Sequence, residues 1–351
     1  MQNLRAVSSL GRARAWHVRG NRFDPGTVHH ESKYLQCAKI QNMHFLTPIL
    51  IILGLTCFEI VSSIDNAVIN AEILDTMSPK GRRWFLTWGF LFAVFAIRGL
   101  LPWIIVWVAN PGLGMIGAFT ATFSSNPAVA ESIAQSSPIL LAGGGTFLIF
   151  LFLHWLFLEP KQFGLRTEKF FLKNGIWFYA VAAVVLAVTV WFALKINPIM
   201  AFGAVIGSTA FFIMHGFKQN AERAEQSLKA GKKGLADLAK IFYLEIIDAS
   251  FSIDGILGAF AFTLSVPYIL IGNGIGAFVL RELTVKNIER IKKYVFLKNG
   301  AMYAIFALSM IMLAGAFGHV IPEWVSPVVM FVIVGFFFLK STSAFGSSPR
   351  T

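Results

Sequence analysis

Apolar residues follow one another in long runs along most of the chain, and short clusters of charged residues separate these runs. A helix needs about 20 mainly apolar residues to cross a bilayer. The pattern therefore predicts an all-α fold, a polytopic transmembrane helical bundle. We expect about nine spans, at residues 45–74, 84–109, 138–158, 175–194, 197–215, 241–265, 267–280, 300–317 and 323–340.

Stretches rich in small residues modify this prediction. The seventh predicted span is short, and its glycines within 272–276 predict a broken or tilted helix. These glycines and those at 143–145 are also expected to let neighbouring helices pack closely. Residues 111–137 are small and weakly polar, which predicts a re-entrant or external loop.

Basic residues predict the orientation of the bundle. With nine spans, the basic loops all fall on one side of the membrane, and only Lys195 lies between spans on the other side. Lys and Arg concentrate in the cytoplasmic loops of membrane proteins. The N-terminus is therefore expected outside, and the C-terminal tail 341–351 in the cytoplasm. The basic loops are 79–83, 159–174, 216–240 and 281–299.

Composition favours a membrane protein over a soluble one. The chain is 56% hydrophobic and 14% charged, whereas soluble domains carry roughly 25% charged residues. The predicted cytoplasmic loops explain the net charge of +12, so the expected partner is the lipid bilayer and not nucleic acid. The two cysteines, Cys37 and Cys57, form no CxxC motif, and no GxxxxGKS or GxxxxGKT motif for nucleotide hydrolysis occurs.

Residues 1–42 form a basic N-terminal extension that differs from the rest of the chain. They contain seven Lys and Arg residues and lack the apolar stretch of a signal peptide. Few apolar residues are available to fold this extension, so it is expected to be disordered. Our hypothesis is that the natural start is Met43 and that the transmembrane domain spans 43–340.

Two apolar stretches contain carboxylates, which membrane helices rarely carry. They read FEIVSSIDNAVINA at 58–71 and LEIIDASFSIDGILGA at 244–259. A carboxylate at the bilayer centre costs roughly 2.5–3.5 kcal/mol, so several of them without partners would not be tolerated. We expect protons, arginine or a bound cation to neutralise them. The acids are Glu59, Asp65, Glu245, Asp248 and Asp254.

The two acidic stretches align as copies of one motif. The aligned acids are Asp65 with Asp254 and Glu59 with Asp248. The arginines in or at the end of the next span are Arg98 and Arg281. The two acidic spans run in opposite directions, which predicts an inverted repeat with halves at about 45–158 and 241–317. Ion sites of many transporters lie between such repeats, near the bilayer midplane.

Helical spacing sorts the polar residues of each stretch into faces. The first face carries Glu59, Ser62, Ser63, Asn66 and Asn70, and the second Glu245, Asp248 and Ser252. Asp65 and Asp254 fall off these faces, so either each has another partner or the helices unwind. We favour unwinding, near 62–66 and 250–255. The candidate ligands are all carboxylate, amide or hydroxyl oxygens, which suit Mg²⁺, Ca²⁺ or Mn²⁺.

The acidic motifs resemble those of the TerC family, membrane proteins named for tellurium resistance. The matching residues are Glu59, Asp65, Asn66, Glu245, Asp248, Phe251 and Asp254. The segment GNGIGAFVLREL is similar to a later segment of that family, with Asn273 and Arg281 corresponding. The resemblance covers most of 45–340 and fits a TerC-like branch labelled as a domain of unknown function. Gly255, where many TerC proteins have Ser, departs from the pattern.

The resemblance implies export of a divalent cation across a bacterial cytoplasmic membrane, with Mn²⁺ the favoured ion. The chain is then not an enzyme and holds no permanent cofactor, because the cation is its transported ligand. The expected ligands are Glu59, Asp65, Asp248 and Asp254, assisted by Asn66 and Glu245. The expected supporting residues are Ser62, Ser63, Asn70, Arg98, Ser252, Asn273 and Arg281.

Two other functions stay open from the sequence. Asp65 and Asp254 could form the acid–base pair of an intramembrane aspartyl protease, although their surroundings differ from the GxGD motif of those enzymes. The protein could instead be a non-transporting membrane subunit of a metal or tellurite stress-response complex, with loop 216–240 docking a partner. With any of these functions, it could form a homo-oligomer or bind a membrane partner. His154 is interpreted as a packing residue of its span, and His215 as interfacial.

Overall fold

The computed structural model describes residues 46–89, 91–92, 94, 98–109, 112, 114–123, 127–229, 237–291 and 293–346. Helices make up the secondary structure of these residues and no strand occurs among them, which confirms the all-α class. The α-helices are α1 Leu46–Ser62, α2 Ile64–Leu74, α3 Pro79–Trp84, α4 Arg98–Ala109, α5 Gly114–Phe123, α6 Pro127–Leu158, α7 Arg166–Lys173, α8 Phe178–Leu194, α9 Pro198–Lys229, α10 Asp237–Ala259, α11 Val266–Ile291, α12 Leu297–Ala316 and α13 Val325–Gly346. The extension 1–42 and Met43 lie outside the described residues.

Six of the described helices are long and apolar enough to cross a membrane. The number rises to seven if the bent pair α1–α2 is counted as one span. These helices support a multi-pass membrane protein, whereas the predicted count of nine spans is not confirmed. Within the span predicted at 84–109, the described residues form a π-helical turn at Phe85–Gly89 and the helix α4. Helix α10, which covers most of the predicted sixth span, is not among these six helices. Its acidic residues make it too polar to be identified as a span from its hydropathy.

The seventh predicted span, at 267–280, is not broken. It forms part of α11, a continuous helix of 26 residues. Its glycines serve packing instead: an added Cβ at Gly272 would lie 2.5 Å from Leu55 of α1. The prediction of close packing is therefore confirmed, and the prediction of a break is wrong.

The loop predicted at 111–137 is also largely helical. It contains α5 and the beginning of α6. Pro127 stands at the first position of α6, where proline is well tolerated, and the alanines that follow favour helix. Small residues here therefore form a helix of 32 residues that continues into an apolar span.

Helices α6 and α12 form the centre of the bundle, and each buries most of its apolar span. Helix α9 packs along α6, and α13 packs along α12. Gly207 of α9 lies so close to α6 that an added Cβ would be 2.0 Å from the carbonyl oxygen of Gly143. The close packing predicted at 143–145 is thus confirmed, and it holds α6 and α9 in backbone contact.

Glu168 is fully buried in the first turn of α7 and anchors the loop after α6. Its carboxylate accepts hydrogen bonds from the backbone N–H groups of Gly164 at 2.8 Å and Leu165 at 3.0 Å. It also accepts one from the side chain of Asn299 on α12, at 2.9 Å. The residue therefore ties α7 to the central helix α12.

Glu168→Ala is expected to lower the free energy of unfolding by about 3 kcal/mol, because three donors lose their acceptor. Thermal unfolding of the purified protein in detergent measures this change. Glu159→Ala is the control, since the ion pair of Glu159 with Lys298 is partly exposed and should contribute about 1 kcal/mol or less. Equal losses in the two variants would contradict the role given to Glu168.

Hydrogen bonds at the start of α10 hold it beside α2 and α3. Ser78 caps α3 by accepting a hydrogen bond from the N–H of Gly81 at 3.2 Å, and it donates to Asp237 through its backbone N–H and its hydroxyl. These two hydrogen bonds hold the pKa of Asp237 below its ordinary value. Lys240 Nζ donates to the carbonyl oxygen of Thr76 at 2.8 Å. The two acidic helices are therefore fixed side by side.

Candidate functional site

The first acidic stretch is interrupted at Ser63, between α1 and α2. Ser63 has backbone angles φ −98° and ψ 9°, and the helix axes of Leu46–Ser62 and Asn66–Leu74 differ by 59°. The hydroxyl of Ser63 donates to Glu59 Oε1 at 3.1 Å. The unwinding predicted near 62–66 is therefore present, and it is confined to the turn at Ser63.

The second acidic stretch is not interrupted. Helix α10 continues through 250–255, so the unwinding predicted there is wrong. Ser and Gly lower helix stability by only about 1 kcal/mol or less per residue, and packing outweighs this loss. An added Cβ at Gly255 would lie 2.9 Å from Glu59 Oε2, so α10 passes directly against α1. In a continuous helix Asp254 points away from the face of Asp248.

Arg98 joins the carboxylates of the two acidic helices. Its Nη2 donates to Glu59 Oε1 at 2.8 Å, and its Nη1 donates to Asp248 Oδ2 at 3.2 Å. Glu59 is 1% exposed and Arg98 is 4% exposed. Charge-assisted hydrogen bonds of this kind are roughly twice as strong as neutral ones, so Arg98 stabilises both acids, although its single charge offsets only one of their two negative charges.

Asn66 adds a direct link between the same helices. Its side-chain amide donates to Asp248 Oδ1 at 2.6 Å. Both oxygens of Asp248 therefore accept hydrogen bonds, one from α2 and one from α4. We call the group Glu59, Arg98, Asp248 and Asn66 the carboxylate bridge.

Glu245 lies one turn before Asp248 on the same face of α10 and is buried. Within the described residues, neither of its carboxylate oxygens finds a hydrogen-bond donor. Gly89 makes room for the side chain, because an added Cβ there would lie 2.2 Å from Glu245 Oε1. Burying a charge without a partner is costly, so this carboxylate is well suited to receive a cation.

A cavity of about 50 Å³ connects Glu245 to the carboxylate bridge. Its polar lining consists of Asn66, Asn70, Arg98, Glu245, Asp248 and Arg281. The guanidinium carbon of Arg281 stands 4.5 Å from the ring centroid of Phe85, and its Nη2 donates to the carbonyl oxygen of that residue. One water needs roughly 10–15 Å³, so the cavity can hold a small ion with a few waters.

The charges around this cavity do not balance. The carboxylates of Glu59, Glu245 and Asp248 meet the guanidinium groups of Arg98 and Arg281. With all five ionised, these groups carry one excess negative charge. In a poorly hydrated interior such a charge attracts a cation or a proton.

The structure brings together most of the residues predicted for the site. Those at the cavity and the carboxylate bridge are Glu59, Ser63, Asn66, Asn70, Arg98, Glu245, Asp248 and Arg281. Asp254 and Ser62 line a different cavity. Ser252 and Asn273 are buried on α10 and α11. The side chain of Asp65 lies outside the described part of the structure.

The predicted metal ligands are not assembled around an ion in this conformation. Among the side chains that the structure describes, no three of the types His, Cys, Asp and Glu lie close enough to share a metal ion. Arg98 occupies the space between Glu59 and Asp248 instead. The ligand set stays a prediction, for a conformation in which Arg98 has moved.

Some contacts could not be anticipated from local sequence patterns. Phe85 packs against Arg281. His154 and His215, which were interpreted separately, lie with their ring centroids 4.0 Å apart. These partners are far apart in the chain, and only knowledge of which helices pack together could have paired them.

Gly276→Ala is expected to lower the free energy of unfolding by about 1–3 kcal/mol. The new Cβ would lie 2.6 Å from Glu59 Cβ and 2.8 Å from the carbonyl oxygen of Thr56, so α1 and α11 would have to separate. Gly274→Ala on the same helix is the matched control, because its nearest neighbour would be Val94 Cγ1 at 3.6 Å. Denaturation midpoints of the two variants should differ clearly, and coinciding midpoints would contradict the close contact.

Comparison with curated proteins and with solved structures gave no match. A protein-family model matches residues 64–345. The match includes α10, α11 and Asn66 and begins after Glu59. It covers most of the chain, and on this basis the protein belongs to the family described as proteins of unknown function, DUF475.

Proposed function

We propose that the protein is an integral membrane transporter of divalent cations, an exporter of Mn²⁺ or a similar hard cation. The carboxylates of the two acidic helices serve as its ion ligands. The observation that carries this proposal is Glu245, a buried carboxylate that accepts no hydrogen bond from the described residues and opens into the cavity beside Asp248. Polar and ionisable groups at membrane depth are functional in most membrane proteins.

Arg98 acts as an internal counter-ion in this proposal. It satisfies Glu59 and Asp248 while no cation is bound, so the empty carrier does not leave two buried charges unpaired. An arriving cation competes with Arg98 for the same oxygens, and Glu245 adds a carboxylate that Arg98 does not use. Carboxylate and amide oxygens are the ligands that hard divalent cations prefer.

The interruption at Ser63 supports a carrier over a static bundle. Ion sites of secondary transporters are often built where a spanning helix is discontinuous, and Ser63 lies between Glu59 and Asn66 of the carboxylate bridge. The TerC resemblance of the same motifs points to the same function and to Mn²⁺. We place the protein in a bacterial cytoplasmic membrane, with its N-terminus outside and its C-terminus in the cytoplasm.

Metal accumulation in cells that lack their own manganese exporter tests this proposal. Wild-type protein should lower the manganese content of these cells, and Asp248→Asn should not. Asp75→Asn is the matched control, because Asp75 is exposed and its ion pair with Arg82 lies outside the site. Equal manganese in cells with wild-type protein and with empty vector would contradict export.

A second candidate function is that of a non-transporting membrane subunit. Helix α9 favours it, because this helix continues from its apolar part, which ends at Phe217, to Lys229. Such an extension is a surface on which another protein can dock. Partner binding that survives Asp248→Asn, without any metal transport by the wild type, would favour the subunit.

A further inference from the structure

Helix α7 lies between two candidate membrane spans, far along the chain from the acidic helices. The spans that flank it are Ser137–Leu158 of α6 and Gly175–Leu194, which leads into α8. With eight residues, α7 is only about 12 Å long, so it is too short to cross a bilayer. Its place between two spans puts it at one surface of the membrane.

The inner face of α7 is fixed against the ends of two spans. Phe171 packs against Phe157, near the end of α6, with ring centroids 5.1 Å apart. The buried carboxylate of Glu168 accepts a hydrogen bond from Asn299, near the start of α12, at 2.9 Å. These contacts hold α7 at the level where both spans end, and they determine which of its faces points outwards.

The outer face of α7 is basic. Arg166, Lys169 and Lys173 lie three or four residues apart, which places them on one side of the helix, and all three are exposed. Among the acids that the structure describes, none forms an ion pair with them. Glu168, the one acidic residue of this helix, lies on the buried side. The outer face therefore carries three positive charges that the protein leaves uncompensated.

Large apolar side chains are exposed beside these cations. Phe170 lies on the same face and is 65% exposed, and Ile176 and Trp177 follow α7 with 88% and 61% exposed. At a membrane surface, such rings enter the boundary of the hydrocarbon layer while Lys and Arg keep their charged ends among the headgroups. Trp is typical of this layer. The mixture of basic and apolar residues thus indicates the membrane interface. We call Arg166, Lys169, Phe170 and Lys173 the basic face of α7.

Two other lysines of this region are held by the protein itself. Lys161 Nζ donates to the carbonyl oxygen of Leu156 at 2.9 Å and stands 3.9 Å from the ring centroid of Trp155. Lys340 of α13 donates to the carbonyl oxygen of Gly164. These lysines stabilise the end of α6 and the loop that follows it, whereas the basic face of α7 is available to a ligand.

We propose that the basic face of α7 binds the headgroups of anionic phospholipids in the adjacent leaflet. Guanidinium and ammonium groups form charge-assisted hydrogen bonds with phosphate oxygens, and the acyl chains cover Phe170 and Trp177. A free phosphate ion would compensate the charges but leave these apolar side chains exposed, so the ligand is a lipid. This binding does not depend on the transport proposed above.

Native mass spectrometry of the purified full chain in detergent tests this proposal. The protein is titrated with phosphatidylglycerol or with phosphatidylcholine of the same acyl chains, and the wild type should bind phosphatidylglycerol more tightly. The triple variant Arg166→Gln/Lys169→Gln/Lys173→Gln should bind phosphatidylglycerol at least about tenfold more weakly and lose this preference. Each basic residue near an anionic membrane surface strengthens binding roughly fivefold.

Two control variants separate a lipid site from a general effect of charge. Lys80→Gln/Arg83→Gln/Lys195→Gln removes three exposed cations from other parts of the chain and should bind phosphatidylglycerol as the wild type does. Lys169→Arg/Lys173→Arg keeps the charges of the basic face and should also bind as the wild type does.

Three outcomes would overturn the proposal. The first is undiminished phosphatidylglycerol binding by the triple variant, and the second is an equal loss in the control that removes cations elsewhere. The third is displacement of the lipid by inorganic phosphate at the same concentration. The substituted side chains are exposed, so the unfolding temperatures of the variants should match that of the wild type. Asp248→Asn should keep the lipid preference, so a failure of this site and a failure of transport are distinguishable.

Discussion

Arg98→Ala is expected to lower the free energy of unfolding by about 3–5 kcal/mol, the usual effect of breaking a buried ion pair from one side. The substitution removes both donors that Arg98 gives to Glu59 and Asp248. Glu59 has almost no exposed surface, so solvent cannot replace the lost hydrogen bond. Chemical or thermal unfolding in detergent measures the change.

Arg82→Ala is the matched control for this prediction. Arg82 forms an ion pair with Asp75 at 2.7 Å, close to the 2.8 Å of the buried pair, but its side chain is 41% exposed and that of Asp75 is 73% exposed. Exposed pairs contribute about 1 kcal/mol or less. If Arg98→Ala were no more destabilising than Arg82→Ala, the carboxylate bridge would not hold the acidic helices together.

Unlike Arg98→Ala, the substitution Glu245→Gln is expected to leave the stability of the protein intact. Its expected effect is a loss of transport. Transport of Mn²⁺ into proteoliposomes should fall at least about tenfold, which corresponds to about 1.4 kcal/mol of lost ion stabilisation. The folded protein should keep its stability or gain slightly, because Glu245 accepts no hydrogen bond from the described residues and the substitution removes a buried charge.

Glu72→Gln on α2 is the control for transport, because Glu72 is exposed. This variant should transport Mn²⁺ at the wild-type rate. A Glu245→Gln protein that transports normally would remove the main support for the proposed function. A Glu245→Gln protein that fails to fold would instead show that the carboxylate has a structural role.

Local patterns in the sequence predicted much of this architecture. Hydropathy located the apolar helices, and the three-residue spacing of Glu245 and Asp248 predicted that they share a face. The position of Asp65 away from the polar face predicted the interruption of the first acidic stretch. Each of these features depends on neighbours along the chain, which is why a single sequence was sufficient.

Features that depend on which helices pack together were predicted only in part, since close packing at the glycines was expected but the helices that meet there were not. Helix α10 stays regular because it is packed against α1 at Gly255, and its regularity places Asp254 at a different cavity from the one that Asp248 lines. The glycines of α11 were expected both to break the helix and to allow close packing, and only the close packing, against α1, is observed. The double role of Arg98 required the positions of α1, α4 and α10 relative to one another.

In the proposed transporter, buried acids from two helices converge on one cation. A structure of the protein with bound Mn²⁺, with the ion identified by its anomalous scattering, is the decisive test. We predict one Mn²⁺ within about 2–2.6 Å of oxygens from Glu245 and Asp248, with Arg98 withdrawn from the bridge. Arg98 still joining Glu59 to Asp248 in saturating Mn²⁺, with no anomalous signal beside Glu245, would contradict the claim.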